Sequence, residues 1–239
     1  MQYQHAEIES RYQELQPAGV AVDYAGRSFE NFDLREFLTR CLSQLQFSDP
    51  QPRVLEYGTG TGPGACFLAA RGFRVDAIDR SPTAIEMARR FAAERSLDIH
   101  YHVQDICTFI AAESTYELVI DSYCLHRIIA DADRVQAMRN VRRMLKPNGY
   151  YLIGSVVYRP DRDYGPEYLD ETTGIVYAEL ADDPSRYRDA VQIDGRWLYA
   201  RHRHVTSNHL RRELVEAGFQ VLEQTPGAGR FLCQLRSLD

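Results

Sequence analysis

The chain has 239 residues, 44% of them hydrophobic, and a formal net charge of −6. That apolar content can bury a core and excludes wholesale disorder, and the length suits one domain, or one domain with an inserted lobe. The acidic balance argues against broad adhesion to nucleic acid or anionic membrane, and no apolar run approaches the roughly 20 residues of a membrane helix. Five cysteines (Cys41, Cys66, Cys107, Cys124, Cys233) are scattered, odd in number and without a C-x-x-C pair. They read as reduced thiols in a cytoplasmic protein, with no zinc site or disulfide framework expected. The opening MQYQHAEIESRYQEL is polar and mixed in charge, unlike a secretory signal or a basic transit peptide.

In chain order, Tyr3 to Leu15 can form a helix, followed by the Gly/Pro-punctuated link PAGVAVDYAGRS. Leu34, Phe37, Leu38, Cys41, Leu42 and Leu45 recur at helical spacing and predict an amphipathic helix, ended by Asp49-Pro50-Gln51-Pro52. The chain then alternates. RVLEYG is a short strand running into glycines, GPGACFLAARG a helix closed by Gly72, and FRVDAID a second strand. Ser81-Pro82 is an N-cap followed by proline at the first helical position. IHYHVQD and YELVIDSY are the third and fourth strands. A further helix through Val135, Met138, Val141, Met144 and Leu145 stops at Lys146-Pro147-Asn148-Gly149, and YYLIGSVVY is the fifth strand. Strands alternating with helices imply parallel strands joined by right-handed crossovers.

From Arg159 to Thr206 the pattern is irregular, and only VQIDGRWLYA within it reads as a hairpin, because Asp194-Gly195 suits a type I′ turn. A helix at NHLRRELVEAGF precedes the strands FQVLEQ and RFLCQLR, whose short TPGAG gap makes them antiparallel neighbours.

The central signal is Val54-Leu55-Glu56-Tyr57-Gly58-Thr59-Gly60-Thr61-Gly62. Glycines at the end of a strand let the backbone turn sharply and approach a ligand, and an acid about 20 residues further on, here Asp79, can accept both ribose hydroxyls of a nucleoside. Three readings compete: an idle tight turn; a dinucleotide loop, since Gly60-Thr61-Gly62-Pro63-Gly64-Ala65 fits G-x-G-x-x-A; and a loop for a nucleoside carrying an ammonium or sulfonium. Glu56 stands two residues before the first glycine, where a carboxylate repels a pyrophosphate and suits the third reading.

With these motifs the sequence resembles the class I S-adenosylmethionine-dependent methyltransferases, strongly from about Arg53 to Val156 and more weakly in the closing helix and strands. The family's acid followed by G-x-G-x-G is matched by Glu56, Gly58, Gly60 and Gly62, and its acid ending the second strand by Asp79. The acid after its third strand is matched by Asp105 with Ile106 beside it, the acid ending its fourth by Asp121, and its L-K-P-G-G by Leu145-Lys146-Pro147-Asn148-Gly149. The resemblance implies a Rossmann-like three-layer α/β sandwich whose seven-stranded, mostly parallel sheet has order 3-2-1-4-5-7-6, with the seventh strand antiparallel and an insert after the fifth. Residues 1–48 would form a helical lid or cap and 49–239 the methyltransferase domain, with a substrate-side insert at about 159–206.

The resemblance also assigns roles. The loop Tyr57, Gly58, Thr59, Gly60 and Gly62 passes under the methionine part of the cofactor, with Glu56 near its ammonium. Asp79 holds the ribose hydroxyls, Arg80 lines the adenine side, Asp105 accepts from the adenine amine beside Ile106, and Asp121 closes the fourth strand at the site. Asp79 and Asp105 can instead cap the segments after them. Candidates for a base or for positioning the acceptor are His126, just past the fourth strand, and His202 and His204 in RHRHV. Strand alternation puts those two histidines on one side and Arg201 and Arg203 on the other; the alternative is a solvated edge strand with charged protection. Tyr123 and Arg127 are substrate-side candidates, and Arg127, Arg201 and Arg203 could recognise a carboxylate or phosphate. Tyr12, Tyr24, Arg27 and Phe29 could close over the cofactor or simply pack the lid.

Asp121-Ser122-Tyr123-Cys124 replaces the Asn/Asp-Pro-Pro-aromatic run of enzymes that methylate base amines or glutamine amides, and no basic extension suits nucleic acid. A small-molecule acceptor is therefore expected, under an insert whose tyrosines (Tyr158, Tyr164, Tyr168, Tyr177, Tyr187) and Trp197 suit a partly apolar or cationic molecule or else form the insert's own core. A protein methyltransferase, a non-catalytic nucleoside-binding subunit and an NAD-dependent oxidoreductase are the alternatives. No carboxylate cluster accompanies Asp121, so no metal is expected; oligomeric state is not legible.

Overall fold

A computed structural model describes residues 2–18 and 29–236. Helix α1 (Gln2–Ala18) and helix α2 (Arg35–Leu42) precede the alternating part. That part runs β1 (Arg53–Tyr57), α3 (Pro63–Ala69), β2 (Arg74–Asp79), α4 (Pro82–Glu94), β3 (His100–Val103), β4 (Tyr116–Ser122), α5 (Asp131–Met144) and β5 (Leu145–Ser155). The insert contains β6 (Tyr168–Asp170), β7 (Ile175–Glu179), β8 (Val191–Ile193) and β9 (Arg196–Arg203); α6 (Ser207–Glu216), β10 (Phe219–Gln224) and β11 (Gly229–Leu235) close the chain.

The main sheet has order β3-β2-β1-β4-β5-β11-β10, with β11 antiparallel to β5, as the sequence resemblance implied. Alternation along each strand sends successive side chains to opposite layers. Val54, Leu118, Ile120 and Leu152 join Phe37, Leu68, Ile85 and Phe91 on one face. Leu55, Val119, Tyr151 and Ile153 join Met138, Val141, Phe219 and Phe231 on the other. β4 is buried in six of its seven positions, as expected of a central strand covered on both faces. Helix α2 packs within the first core cluster through Phe37, Leu38 and Cys41, and Tyr12 and Leu15 of α1 pack against it.

Two expectations are corrected. Lys146-Pro147-Asn148-Gly149 does not separate helix from strand: α5 ends at Met144 and β5 begins at Leu145. Tyr116 pairs with Leu145 while Leu118 pairs with Tyr150, so the four residues bulge out of the strand, with Asn148 at φ +61° supplying the bend. The insert also contains more than one hairpin. It is a four-stranded antiparallel sheet, β6-β7-β9-β8, in which the Asp194-Gly195 turn has positive φ at both residues, as a type I′ turn requires. The β6–β7 hairpin turns through an Asp-Glu-Thr-Thr-Gly run, where Gly174 donates to the Asp170 carbonyl.

Arg134 links this architecture to the turn after β4. It is 2% exposed, and its guanidinium makes a two-pronged pair with Glu213 of α6 (2.8 and 2.6 Å). It also donates to the carbonyls of Leu125 (2.7 Å) and Ile128 (3.3 Å). Leaving a buried guanidinium without its carboxylate costs about 3 kcal/mol. Glu213→Gln is therefore expected to lower the free energy of unfolding in urea by about that amount; a loss indistinguishable from zero would show that water replaces the pair.

Candidate functional site

A cavity of about 550 Å³ lies beyond the carboxyl ends of the parallel strands, where open α/β sheets bind ligands. Each wall is the segment that follows a strand: Tyr57 to Thr61 after β1, Asp79 to Pro82 after β2, Gln104 to Ile106 after β3, and Ser122 to Cys124 with Arg127 and Ile128 after β4. Helix α1 forms the roof through Gln4 to Glu9, Arg11, Tyr12 and Leu15.

Glu56 is 1% exposed and its carboxylate accepts from the hydroxyls of Thr59 (2.6 Å) and Ser122. Burial raises its pKa, and the neighbouring Asp79 charge adds to the rise. Asp79 accepts from the amide N–H groups of Gly60 (2.9 Å) and Ser81 (3.0 Å), and its pKa is likewise raised by burial. Ser81 caps α4 at the Ala84 amide (2.9 Å), so the helix cap is Ser81 and not Asp79. Gly60 has φ +55°, and a Cβ there would lie 2.9 Å from the Tyr12 hydroxyl of the roof, so both backbone sign and space favour glycine. Asp105 accepts from the Cys107 amide (2.9 Å) and lies 3.4 Å from Arg80, with Ile106 buried beside it. Tyr57 borders the cavity, while its hydroxyl pairs with that of Tyr151 in the core.

The roof is attached by polar contacts. Gln4, 2% exposed, donates to the carbonyls of Arg127 (3.0 Å) and Arg201 (2.6 Å). Glu9 accepts from the hydroxyls of Ser81 and Thr83, and Glu7 pairs with Arg201 at 2.8 Å. Arg80 contacts His5, whose pKa burial and the Arg80 charge push down to about 4. These α1 residues carry no motif, so only Tyr12 was foreseen here. Phe29 does not reach the cavity: it packs on Phe91 beneath Arg95. Tyr24 and Arg27 lie outside the described residues.

Several expected residues stand elsewhere. Gly62 is not in the cavity wall; a Cβ there would lie 2.4 Å from the Tyr101 hydroxyl, so this glycine serves the packing at the start of α3. Asp121 does not face the cavity either. It is fully buried, and its carboxylate accepts from the amides of Cys124 (2.8 Å) and Leu125 (3.1 Å), holding the turn after β4. His126, His202 and His204 do not line the cavity but cluster behind Tyr123 and Arg127. Their ring centroids are 5.1 Å (126–202), 6.1 Å (126–204) and 5.5 Å (202–204) apart, the last pair stacked. The two RHRH histidines do share a side; this end of β9 pairs only with β7, but Arg203 and His204 are buried, which overturns the solvated part of the edge-strand alternative. Arg203 is tied to Asp131 and to the Ile129 carbonyl (2.8 Å), and Arg201 to Glu7 and Glu167. The insert aromatics do not roof the cavity. Tyr187 packs with Ala178, Leu180 and Tyr199 in a small core of the insert, and Trp197 is 42% exposed. Among the described residues no group of three or more His, Cys, Asp or Glu side chains could hold a metal ion.

Residues 54–149 match a family model described as a methyltransferase domain. The chain is 30% identical over 151 residues to a 2-heptyl-1-hydroxyquinolin-4(1H)-one methyltransferase of Mycobacteroides abscessus, covering 62% of this chain and 63% of that protein. It is 32% identical over 126 residues to a ubiquinone biosynthesis O-methyltransferase of Rickettsia akari, covering 53% and 45%. The match thus spans less than two thirds of either relative. Among solved structures, the fold resembles the Burkholderia thailandensis 1,6-didemethyltoxoflavin-N1-methyltransferase with bound 1,6-didemethyltoxoflavin and S-adenosylhomocysteine, at TM-score 0.60 and 16% identity over 96% of this chain and 84% of that one.

Burial pushes the Asp121 carboxyl from 3.8 up to about 7. The folded chain therefore holds a proton there that the unfolded chain has lost between those values, and this contribution to stability falls away as pH rises through about 7. Asparagine keeps an oxygen for the Cys124 and Leu125 amides without the charge. Urea unfolding should show Asp121→Asn gaining on the wild type as pH rises from about 4 to about 7, with the gap level above that. Parallel pH dependence of the two proteins would mean that Asp121 stays ionised throughout.

Proposed function

We propose that this chain, whose residues 54–149 match a methyltransferase-domain model, is a class I S-adenosylmethionine-dependent methyltransferase that transfers a methyl group from S-adenosylmethionine to a small-molecule acceptor. One observation carries this reading: the cavity wall presents Glu56, Asp79 and Asp105 around a left-handed glycine turn, a donor set that suits a cationic nucleoside and repels a pyrophosphate.

When bound, S-adenosylmethionine supplies a methyl carbon already activated by the sulfonium, so the protein's part is alignment and exclusion of water. In this reading Asp79 takes the ribose hydroxyls, Asp105 and Ile106 flank the adenine with Arg80 beside them, and the Glu56 carboxylate, with Thr59 and Ser122, answers the amino-acid end. The Tyr57–Gly60 turn brings the backbone close, and α1 closes over it with Tyr12 across from Gly60. Asp121 acts at one remove, by fixing the turn that carries Tyr123 and Arg127. Tyr123 and Arg127 border the acceptor end, and His126, His202 and His204 support it from behind. A roofed cavity favours a small acceptor over a peptide chain. The quinolone and ubiquinone-pathway names of the relatives and the bicyclic ligand named in the structural neighbour agree with a compact ring acceptor.

Isothermal titration calorimetry with S-adenosylhomocysteine and with NADH tests the cofactor half. S-adenosylhomocysteine should bind and NADH should not. Asp79→Asn and Glu56→Gln should each weaken S-adenosylhomocysteine by roughly 10- to 100-fold, the worth of a charged hydrogen-bond partner. Unchanged affinity in both variants would refute the assignment.

A further inference from the structure

We propose that the acceptor is an oxygen acid that enters the cavity already ionised, with the Arg127 guanidinium as its counter-charge. The proposal rests on the reading of the cavity as a joint cofactor and acceptor site, and it adds the acceptor's chemical class.

The first observation is that Arg127 stands apart from the arginines around it. It lines the cavity from the turn Leu125–Arg127, partly buried. Arg80 is beside Asp105, Arg201 is held by two glutamates, Arg203 by Asp131, and Arg230 by the Asp33 carbonyl (3.2 Å) and the Tyr123 hydroxyl (3.4 Å). The Arg127 side chain makes no hydrogen bond or ion pair among the described residues, and Gln4 bonds only its carbonyl. A half-buried cation that faces a ligand cavity, feels Asp79 only at a distance and has no carboxylate in direct contact is placed to receive an anion.

The second, independent observation is the histidine cluster behind it. His126 is 4% and His204 1% exposed. His126 Nδ1, both ring nitrogens of His202 and His204 Nε2 are buried without a hydrogen-bond partner. Such bare polar atoms are costly unless a ligand or water meets them. Burial and then the Arg127 charge push His202 down to about 2; burial and Arg162 push His204 to about 4; burial and the neighbouring histidines and Arg127 hold His126 well below its usual value. The imidazoles are therefore neutral at physiological pH. They lie behind the Tyr123 and Arg127 wall rather than in it, and they are poor resting places for a proton taken from a weak acid such as a phenol of pKa about 10.

Together the two observations exclude the alternatives by charge. A cationic amine would face Arg127 and uncharged imidazoles. A neutral alcohol would need a base that this wall lacks. An acid already ionised at oxygen needs only a counter-charge, which Arg127 supplies at the wall. The methyl–oxygen bond then forms from the oxygen's own electron pair as the carbon–sulfur bond breaks onto sulfur, and no proton has to move.

Calorimetry on protein saturated with S-adenosylhomocysteine tests this at pH 7.5 with two matched probe pairs, chosen to separate a carboxylate from an acidic hydroxyl: 2-naphthoate against 2-naphthamide, and 4-hydroxycoumarin against coumarin. The ionised member of at least one pair should bind about tenfold or more tightly than its neutral partner. Arg127→Gln should bring that ratio close to one, and Arg127→Lys should retain part of it. Equal binding within both pairs, no binding by either acid, or a preference that survives Arg127→Gln would overturn the proposal. So would an Arg127→Gln variant that loses affinity for S-adenosylhomocysteine with its acid preference intact, which would assign Arg127 to the cofactor's carboxylate. Wild-type protein that fails to bind S-adenosylhomocysteine at all would instead sink the reading of the cavity.

Discussion

Two carboxylates held by hydroxyls and backbone amides set the character of this molecule. Glu56 lies within β1, and Asp79 ends the adjacent parallel strand β2, in a register that pairs Glu56 with Ala77 and Tyr57 with Ile78. Parallel pairing thus delivers both acids to the same end of the sheet, and burial deprives them of water. Their hydrogen bonds come from hydroxyls and backbone amides, which soften the charge without cancelling it, and both pKa values are raised. A fold that concentrates negative charge in this way is less stable for it, by the same linkage that raises the pKa. A cationic ligand relieves that cost, whereas a pyrophosphate would add to it. The charge pattern, more than the glycines, is what separates this loop from a dinucleotide site.

The surrounding structure serves to hold that unfavourable arrangement. The sheet is packed on both faces by separate clusters, so the strand ends cannot spread. Asp121 and Arg134 add a second buried polar support, gripping the turn after β4 from its amide and carbonyl sides respectively. The roof is of another kind. Helix α1 meets the cavity walls through Gln4, His5, Glu7 and Glu9, all polar. Tyr12 and Leu15 add apolar packing against the first core cluster, so α1 is held by both kinds of contact.

Legibility followed physical range. The strand–helix alternation, the Ser81-Pro82 cap and the Asp194-Gly195 turn were readable because each depends on neighbours a few residues away. Glu56, Gly58, Gly60, Asp79, Asp105 and Ile106 were readable because a strand end followed by a special backbone leaves a local trace. Gly62 shows the limit of that trace: its spacing is the same, but its reason is Tyr101, some forty positions away in sequence. Asp121 likewise occupies the motif position while its carboxylate turns to its own backbone. The β6–β7 hairpin was missed because its strands are short and its turn residues are not a two-residue hairpin signature. Gln4 and Glu9 left no trace at all, since a polar residue on a polar helix looks the same whether it meets solvent or a cavity wall.

Arg127 completes the electrostatic layout. Its charge acts on Asp79 on one side and on His126 and His202 on the other. The cavity therefore carries carboxylates at one end and a guanidinium at the other, coupled through space with no direct ion pair between them among the described residues. In water such a gradient would be screened, but under a roof, with core packing behind both walls, it persists at closer to its unscreened strength. Each end then prefers a ligand of opposite sign, and two ligands so placed are drawn toward each other as well as toward the walls. The protein does not need to supply a strong base under that arrangement, which is consistent with histidines buried where they stay neutral. A cavity charged in one sign throughout would hold one partner and expel the other.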